Sequence, residues 1–247
     1  MIASHVWGQR LGYYRVLNTT FVHIIKTGGT SIDRILQQQA ARQAPLLGRL
    51  KDRVSSRCKP KGRSLRHLSK HALAIDYYNC DSTSFLSTYS FAFVRNPWDW
   101  LVSWYSFVKF SKTSPDRRGP WRHALEPMIK DLSFESYIRW ITHEHGLSLL
   151  PSRQKSSLAG KLPVLQSDWL TDADGKQMID FVGRFENLQT DLRTALAGQP
   201  WASLAIERLP RLNESRRRNY QSYYTSETRE LVAQYFAADI ERFGYRY

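Results

Sequence analysis

The residues best suited to chemistry stand in Phe21-Val22-His23-Ile24-Ile25-Lys26-Thr27-Gly28-Gly29-Thr30-Ser31, where a short apolar run ends in a lysine, two glycines and adjacent hydroxyls. A helix-like pattern follows. This is how a chain builds a cradle for a phosphate: the strand fixes the approach, glycines let the backbone come close to the anion, and amides at the helix N-terminus point at it. The competing reading is an ordinary strand–turn–helix corner, for which one glycine and no lysine would suffice. Spacing speaks against a nucleoside-triphosphatase loop, in which the lysine immediately precedes the Ser/Thr. Lys26 stands four residues before Thr30, with both glycines after it, so it enters from the strand side. Ala72-Leu73-Ala74-Ile75-Asp76 looks like a strand ending in a magnesium-binding aspartate, but it follows a histidine in a stretch more naturally helical.

A second candidate site opens with Phe91-Ala92-Phe93-Val94, a buried strand by composition, followed by Arg95-Asn96-Pro97. Arg95 falls at the strand's carboxyl end, where open α/β sheets bind ligands. Pro97 suits the first helical position, where its missing N–H costs nothing. Leu101, Trp104, Tyr105 and Val108 recur at helical spacing and mark the core face. Ser103 lies off that stripe, and helical side chains lean toward the N-terminus, so its hydroxyl is expected to point back toward Arg95. An arginine fork with a hydroxyl is a receptor for a second dianionic phosphate; a surface arginine and a solvated serine are the bland alternative.

Two phosphate receptors on successive strands suggest a nucleotide phosphorylated at both ends of its ribose. On these residues the chain resembles sulfotransferases that use 3′-phosphoadenosine-5′-phosphosulfate (PAPS), in the branch shared by carbohydrate sulfotransferases and their bacterial relatives. The family's 5′-phosphosulfate loop resembles His23 to Ser31, with proline more usual at Ile25. Its 3′-phosphate motif resembles Arg95-Asn96-Pro97 with Ser103 and Tyr105. Many members carry a second arginine where this chain has Trp100, so no phosphate role transfers there. Asp180 to Glu186, Leu209-Pro210 with Asn213 and Ser215, and Phe243-Gly244-Tyr245 extend the likeness over roughly residues 20–247.

The resemblance implies transfer of a sulfuryl group to a hydroxyl acceptor, a carbohydrate or glycolipid, with no metal. Lys26 would contact the bridging and 5′-phosphate oxygens. Thr27, Gly28, Gly29, Thr30 and Ser31 would hold the phosphate. Arg95 and Ser103 would take the 3′-phosphate, with Ser215 and Arg184 as further nucleotide contacts. The acceptor needs a base, and His71 occupies the stretch where relatives present a catalytic histidine; His67, one helical turn earlier, competes for the role. His67 and His71 at i and i+4 also suit metal ligation, but no well-spaced third ligand is evident, and His143-Glu144-His145 reads as a solvated helix end. Arg216-Arg217-Arg218 reads either as part of a loop closing over the nucleotide or as a surface charge run.

The elements that must position these groups read as strand 20–25, helix 30–41, a basic loop, helix 67–78, strand 90–94 and helix 97–110. A helical region near 133–145, a hairpin about Asp174-Gly175 into 178–185, helix 187–197 and helix 225–241 complete the order. The alternation predicts an α/β fold: a P-loop-like central parallel β-sheet with helices on both faces, in a single domain over 1–247 with a basic insertion at about 42–66. At 247 residues and 42% hydrophobic the chain can bury a full core.

The net charge of +14 is unevenly spread. Residues 42–70 hold ten Lys/Arg against Asp52 alone, a field suited to steering an anionic acceptor or to peripheral association with an anionic membrane, or simply a solubilising loop. Basic residues gathered in a loop, without interleaved aromatics, argue against a nucleic-acid partner. The remaining alternatives are a P-loop kinase using ATP-Mg and a basic nucleic-acid-binding protein. No apolar stretch reaches the roughly 20 residues of a membrane span, no signal pattern opens the chain, and Cys58 and Cys80 do not indicate a disulfide framework. A cytoplasmic enzyme of the bacterial type is the expectation; oligomeric state is silent.

Overall fold

The computed structural model describes residues 12–47, 68, 70–109, 129–143, 165–207 and 218–247. The chain divides into two compact units, Met1–Val94 with Trp169–Leu212, and Arg95–Asp168 with Asn213–Tyr247.

The first unit holds the sheet. Strands β1 (Tyr13–Tyr14), β2 (Thr19–Val22), β3 (Tyr89–Val94) and β4 (Phe181–Arg184) lie in that order. β2, β3 and β4 are parallel, with Phe21 opposite Phe91 and Phe91 opposite Phe181. β2 to β4 form the expected parallel sheet, and the two-residue β1 adds to its edge antiparallel to β2, which makes the whole sheet mixed. Two residues are too few to show an alternating pattern, and Asn18 at φ 49 turns the chain back into β2. β2 stops at Val22, short of the expected strand 20–25, because the chain breaks into a turn at Ile25 and Lys26.

Helix α1 spans Gly29–Leu47, beyond the expected 30–41, as Gln and Ala residues continue the helix without a breaker through Ala44. Its apolar face carries Ile32, Leu36 and Ala40 onto Phe21, Phe91 and Phe93 of the strands, and Leu192, Leu196 and Ile206 close the same core. Burying a side chain of this kind is worth about 1.5–3 kcal/mol.

The expected helix 67–78 is replaced by a turn at Lys70 and His71, then α2 (Ala74–Cys80) and α3 (Ser82–Ser87). Asp76 explains the late start: its carboxylate accepts from the Leu73 amide at 3.0 Å and caps α2. The magnesium reading of Asp76 therefore has no strand under it. Asp81 caps α3 through the Ser84 amide. The expected hairpin reduces to one antiparallel bridge, Thr171 with Gln177, about Gly175. Strand β4 follows, and α6 and α7 (Leu188–Ala195, Ala202–Glu207) complete this unit.

In the second unit, α4 (Pro97–Lys109) is buried nearly all round: Trp98, Trp100, Val102 and Ser103 are enclosed as well as the predicted stripe. Tyr105 stacks obliquely on Tyr137 of α5 (Phe134–His143), ring centroids 5.2 Å apart. Trp100 meets Phe236 edge-on at 6.1 Å. Phe236 divides the predicted helix 225–241 into α8 (Ser226–Tyr235) and α9 (Ala237–Phe243), leaving the helical path at φ −101, ψ 21 with its ring fully buried. Arg139 of α5 bridges its own Glu135 and Glu227 of α8 across the surface. Among the described residues no helix is long and apolar enough to cross a membrane.

Candidate active site

The loop between β2 and α1 is built from two left-handed residues. Lys26 sits at φ +64 and Gly28 at φ +82. For a lysine this region costs about 1–2 kcal/mol, a strain that the surrounding structure must hold. Gly28 meets the requirement without a Cβ, and the Ser31 amide bonds its carbonyl at 3.0 Å to start the helix. No acidic residue occupies the first turn of α1, so its positive dipole end is not offset locally. Thr27 turns inward: its hydroxyl donates to the Ile24 carbonyl at 2.9 Å and its side chain is buried. An anion contact from Thr27 thus falls to its amide. Thr30 keeps its hydroxyl within 3.5 Å of Lys70 Nζ, Ser31 is buried, and Lys26 is partly exposed.

Gly29 has a different reason to be glycine. A Cβ there would lie 2.2 Å from Cδ2 and 2.3 Å from Nε2 of His23, so the imidazole occupies the space of the missing side chain. That ring is held in turn. His23 Nδ1 lies 2.6 Å from Asp33 Oδ2, and Tyr14 donates to Asp33 Oδ1 at 2.8 Å. Lys70 Nζ stands 3.6 Å from the same carboxylate. An ionised carboxylate only accepts, so Nδ1 of His23 carries the hydrogen. Burial lowers the His23 pKa, opposed by Asp33, and raises that of Tyr14.

His71 joins this cluster through the backbone. Its Nδ1 is 2.9 Å from the His23 carbonyl, and its ring meets that of His23 edge-on at 4.7 Å. A carbonyl cannot donate, which makes Nδ1 the protonated nitrogen and leaves the lone pair on Nε2. Burial, with lesser contributions from His23 and Lys70, lowers the His71 pKa to about 3. The imidazole is neutral at ordinary pH, the state a general base needs.

In the second unit, Arg95 is fixed at both main chain and side chain. Gln166 Oε1 accepts from the Arg95 amide and Gln166 Nε2 donates to the Arg95 carbonyl, both at 2.8 Å. Gln166 is set by Asp239, whose buried carboxylate accepts from the amides of Gln166 (2.7 Å) and Ser167 (2.9 Å). The Arg95 guanidinium pairs with Asp99, Nη2 to Oδ2 at 2.6 Å, one turn along α4. Asn96 caps that helix through the Trp98 amide and ties its own Nδ2 to the Arg246 carbonyl. Tyr105 donates to the Leu132 carbonyl at 2.8 Å. Ser103 is buried and does not lie on a solvated face.

Arg184 ends β4 with an exposed side chain, its amide bonded to Asp191. His67, Ser215, Arg216, Arg217, Cys58 and most of the basic 42–66 segment lie outside the described residues. His143 bonds the Arg139 carbonyl at the end of α5, and among the described residues no group of three or more His, Cys, Asp or Glu could hold a metal ion. Sequence reasoning passed over Tyr14, Asp33, Lys70, Gln166 and Asp239, and placed His23 in the loop motif without a role of its own. The spacing of Asp33, three residues past Thr30 and facing back toward His23, was a usable signal; nothing local marks Gln166 or Asp239.

A family model described as the sulfotransferase family matches residues 16–246. The chain belongs to the sulfotransferase family. Neither a curated protein nor a solved structure matches it. In this sulfotransferase the matched span takes in the Lys26 loop, the Tyr14-to-Asp33 cluster beyond residue 16, His71 and the Arg95 segment.

Proposed function

We propose that this sulfotransferase uses PAPS as its donor and sulfates a hydroxyl of a carbohydrate or glycolipid, with His71 as general base. One observation carries the reading: a neutral histidine, its tautomer set by the His23 carbonyl, belongs to the same cluster as a glycine-rich loop with a lysine at its head. The residues present suit the donor. Amides of Thr27 to Ser31 at an α1 N-terminus without acid, and the Lys26 ammonium, match a phosphosulfate. Arg95 and Ser103 take the 3′-phosphate on the strength of the sequence motif, with Arg184 and Ser215 as further contacts.

When bound, the donor supplies the sulfuryl group and leaves as adenosine 3′,5′-bisphosphate. Nε2 of His71 accepts the proton of the acceptor hydroxyl. Its low pKa in the free protein rises when anionic charge arrives beside it, which strengthens the base when it is needed. Lys26 offsets charge gathering on the leaving phosphate, the part a metal plays in phosphoryl transfer.

Turnover with PAPS and a panel of sugar and lipid hydroxyls, against ATP-Mg as control, tests the assignment. Lys26→Ala should lose at least about 100-fold in kcat, the scale of one removed electrostatic donor. His71→Ala should lose a comparable factor while binding the bisphosphate as before. Full activity in His71→Ala would remove it as the base; turnover with ATP-Mg alone would make the protein a kinase.

A further inference from the structure

We propose that His23, held by Asp33 and Tyr14, is a positioning residue that sets both the donor loop and the base from one point. The inference rests on the donor and base assignments above.

Three features of this one residue converge. Its imidazole fills the space beneath Gly29, within 2.2–2.8 Å of where a Cβ would stand, so the first residue of α1 rests on the ring. Its Nδ1–H is fixed by Asp33 at 2.6 Å, and Asp33 is fixed by the Tyr14 hydroxyl at 2.8 Å. Its carbonyl accepts Nδ1–H of His71 at 2.9 Å. A tilt of the ring would shift Gly29 and the amides that follow it. A shift of the His23 backbone would move the partner that holds the His71 tautomer.

The support is stiff. Tyr14, His23 and Asp33 are all at most 3% exposed, and they come from an edge strand, the residue just past β2 and the second turn of α1. Packed groups of this kind transmit small displacements rather than absorb them. Interactions made through such a hydrogen-bonded group are not additive, so one change in the support should appear at both ends.

The experiment is calorimetry with adenosine 3′,5′-bisphosphate alongside steady-state turnover, on variants shown to be folded by circular dichroism. Asp33→Asn is expected to weaken bisphosphate affinity about 10-fold at unchanged binding stoichiometry and to lower kcat by a similar factor. A purely structural defect would lower the stoichiometry and leave Kd alone. Tyr14→Phe, which removes only one hydroxyl, should move both quantities about 3-fold and serves if Asp33→Asn does not fold. The ring contact has its own test. Gly29→Ala should cost about 10-fold in affinity in the native background but no more than about 2-fold when His23 is already alanine. Folded Asp33→Asn or Tyr14→Phe protein with native Kd and kcat overturns the proposal, as does a Gly29→Ala penalty indifferent to His23. If the unaltered protein fails to bind the bisphosphate, the donor assignment falls and takes this inference with it; native binding with indifferent variants sinks this inference alone.

Discussion

His71 shows how the surroundings of one side chain can hold it neutral. Its ordinary pKa of 6.5 falls to about 3 because burial disfavours the charged ring. Between those values the unfolded chain binds a proton that the folded chain refuses, so stability rises with pH across this window. The contribution is fully present above about pH 6.5 and is lost as pH falls toward 3. His71→Asn keeps a donor for the His23 carbonyl and removes the titration. Thermal melting at pH 7 and pH 4.5 should therefore show a drop smaller in the variant than in the native protein, by about 5 °C on typical enthalpies. In the free enzyme, the acid limb of kcat/KM attributable to His71 should likewise lie well below pH 6. A limb centred at 6.5 that disappears in the variant would mean the ring is solvated and ordinary.

At the scale of elements, β2 and α1 flank the Lys26 loop, and the path between them was largely readable: an apolar run, Lys26, two glycines and a helical pattern. What each glycine does was not readable. Gly28 serves backbone conformation, while Gly29 makes room for a ring whose position depends on Asp33 and on an edge strand of two residues. Residue spacing carries periodicity and turns; it does not carry which side chain will fill a void. Apolar residues on both sides of His71 predict helix through it, whereas a carboxylate cap from Asp76 moves the helix start to Ala74. A continuous apolar stripe predicts one last helix, and it breaks at Phe236, whose ring packs on Trp100. The Arg95 clamp was out of reach altogether, since Gln166 and Asp239 are 71 and 144 residues further along the chain. It has a measurable consequence. Gln166→Leu removes both bonds to the Arg95 backbone, each worth about 1 kcal/mol, and should weaken bisphosphate affinity about 10-fold. Native affinity in a folded Gln166→Leu protein would show that Arg95 needs no such support.

For the molecule as a whole, charge is the feature that sequence alone decides. Ten Lys/Arg against one aspartate between residues 42 and 70, immediately before His71, make a concentrated positive field in a chain of net +14. Such a field raises encounter rates with anions and weakens as salt rises. Replacing Arg49, Lys51, Arg53 and Arg57 with glutamine should raise KM for an anionic acceptor several-fold, more at low salt than at high, with bisphosphate binding retained. An unchanged KM would leave the segment a solubilising role.

Calorimetry of the unaltered protein with adenosine 3′,5′-bisphosphate, set against adenosine 5′-monophosphate, tests the donor assignment most directly. The account predicts one site per chain that prefers the bisphosphate by at least about 10-fold, and a preference that disappears in Arg95→Ala. No heat with either nucleotide, or equal affinity for both, would contradict it.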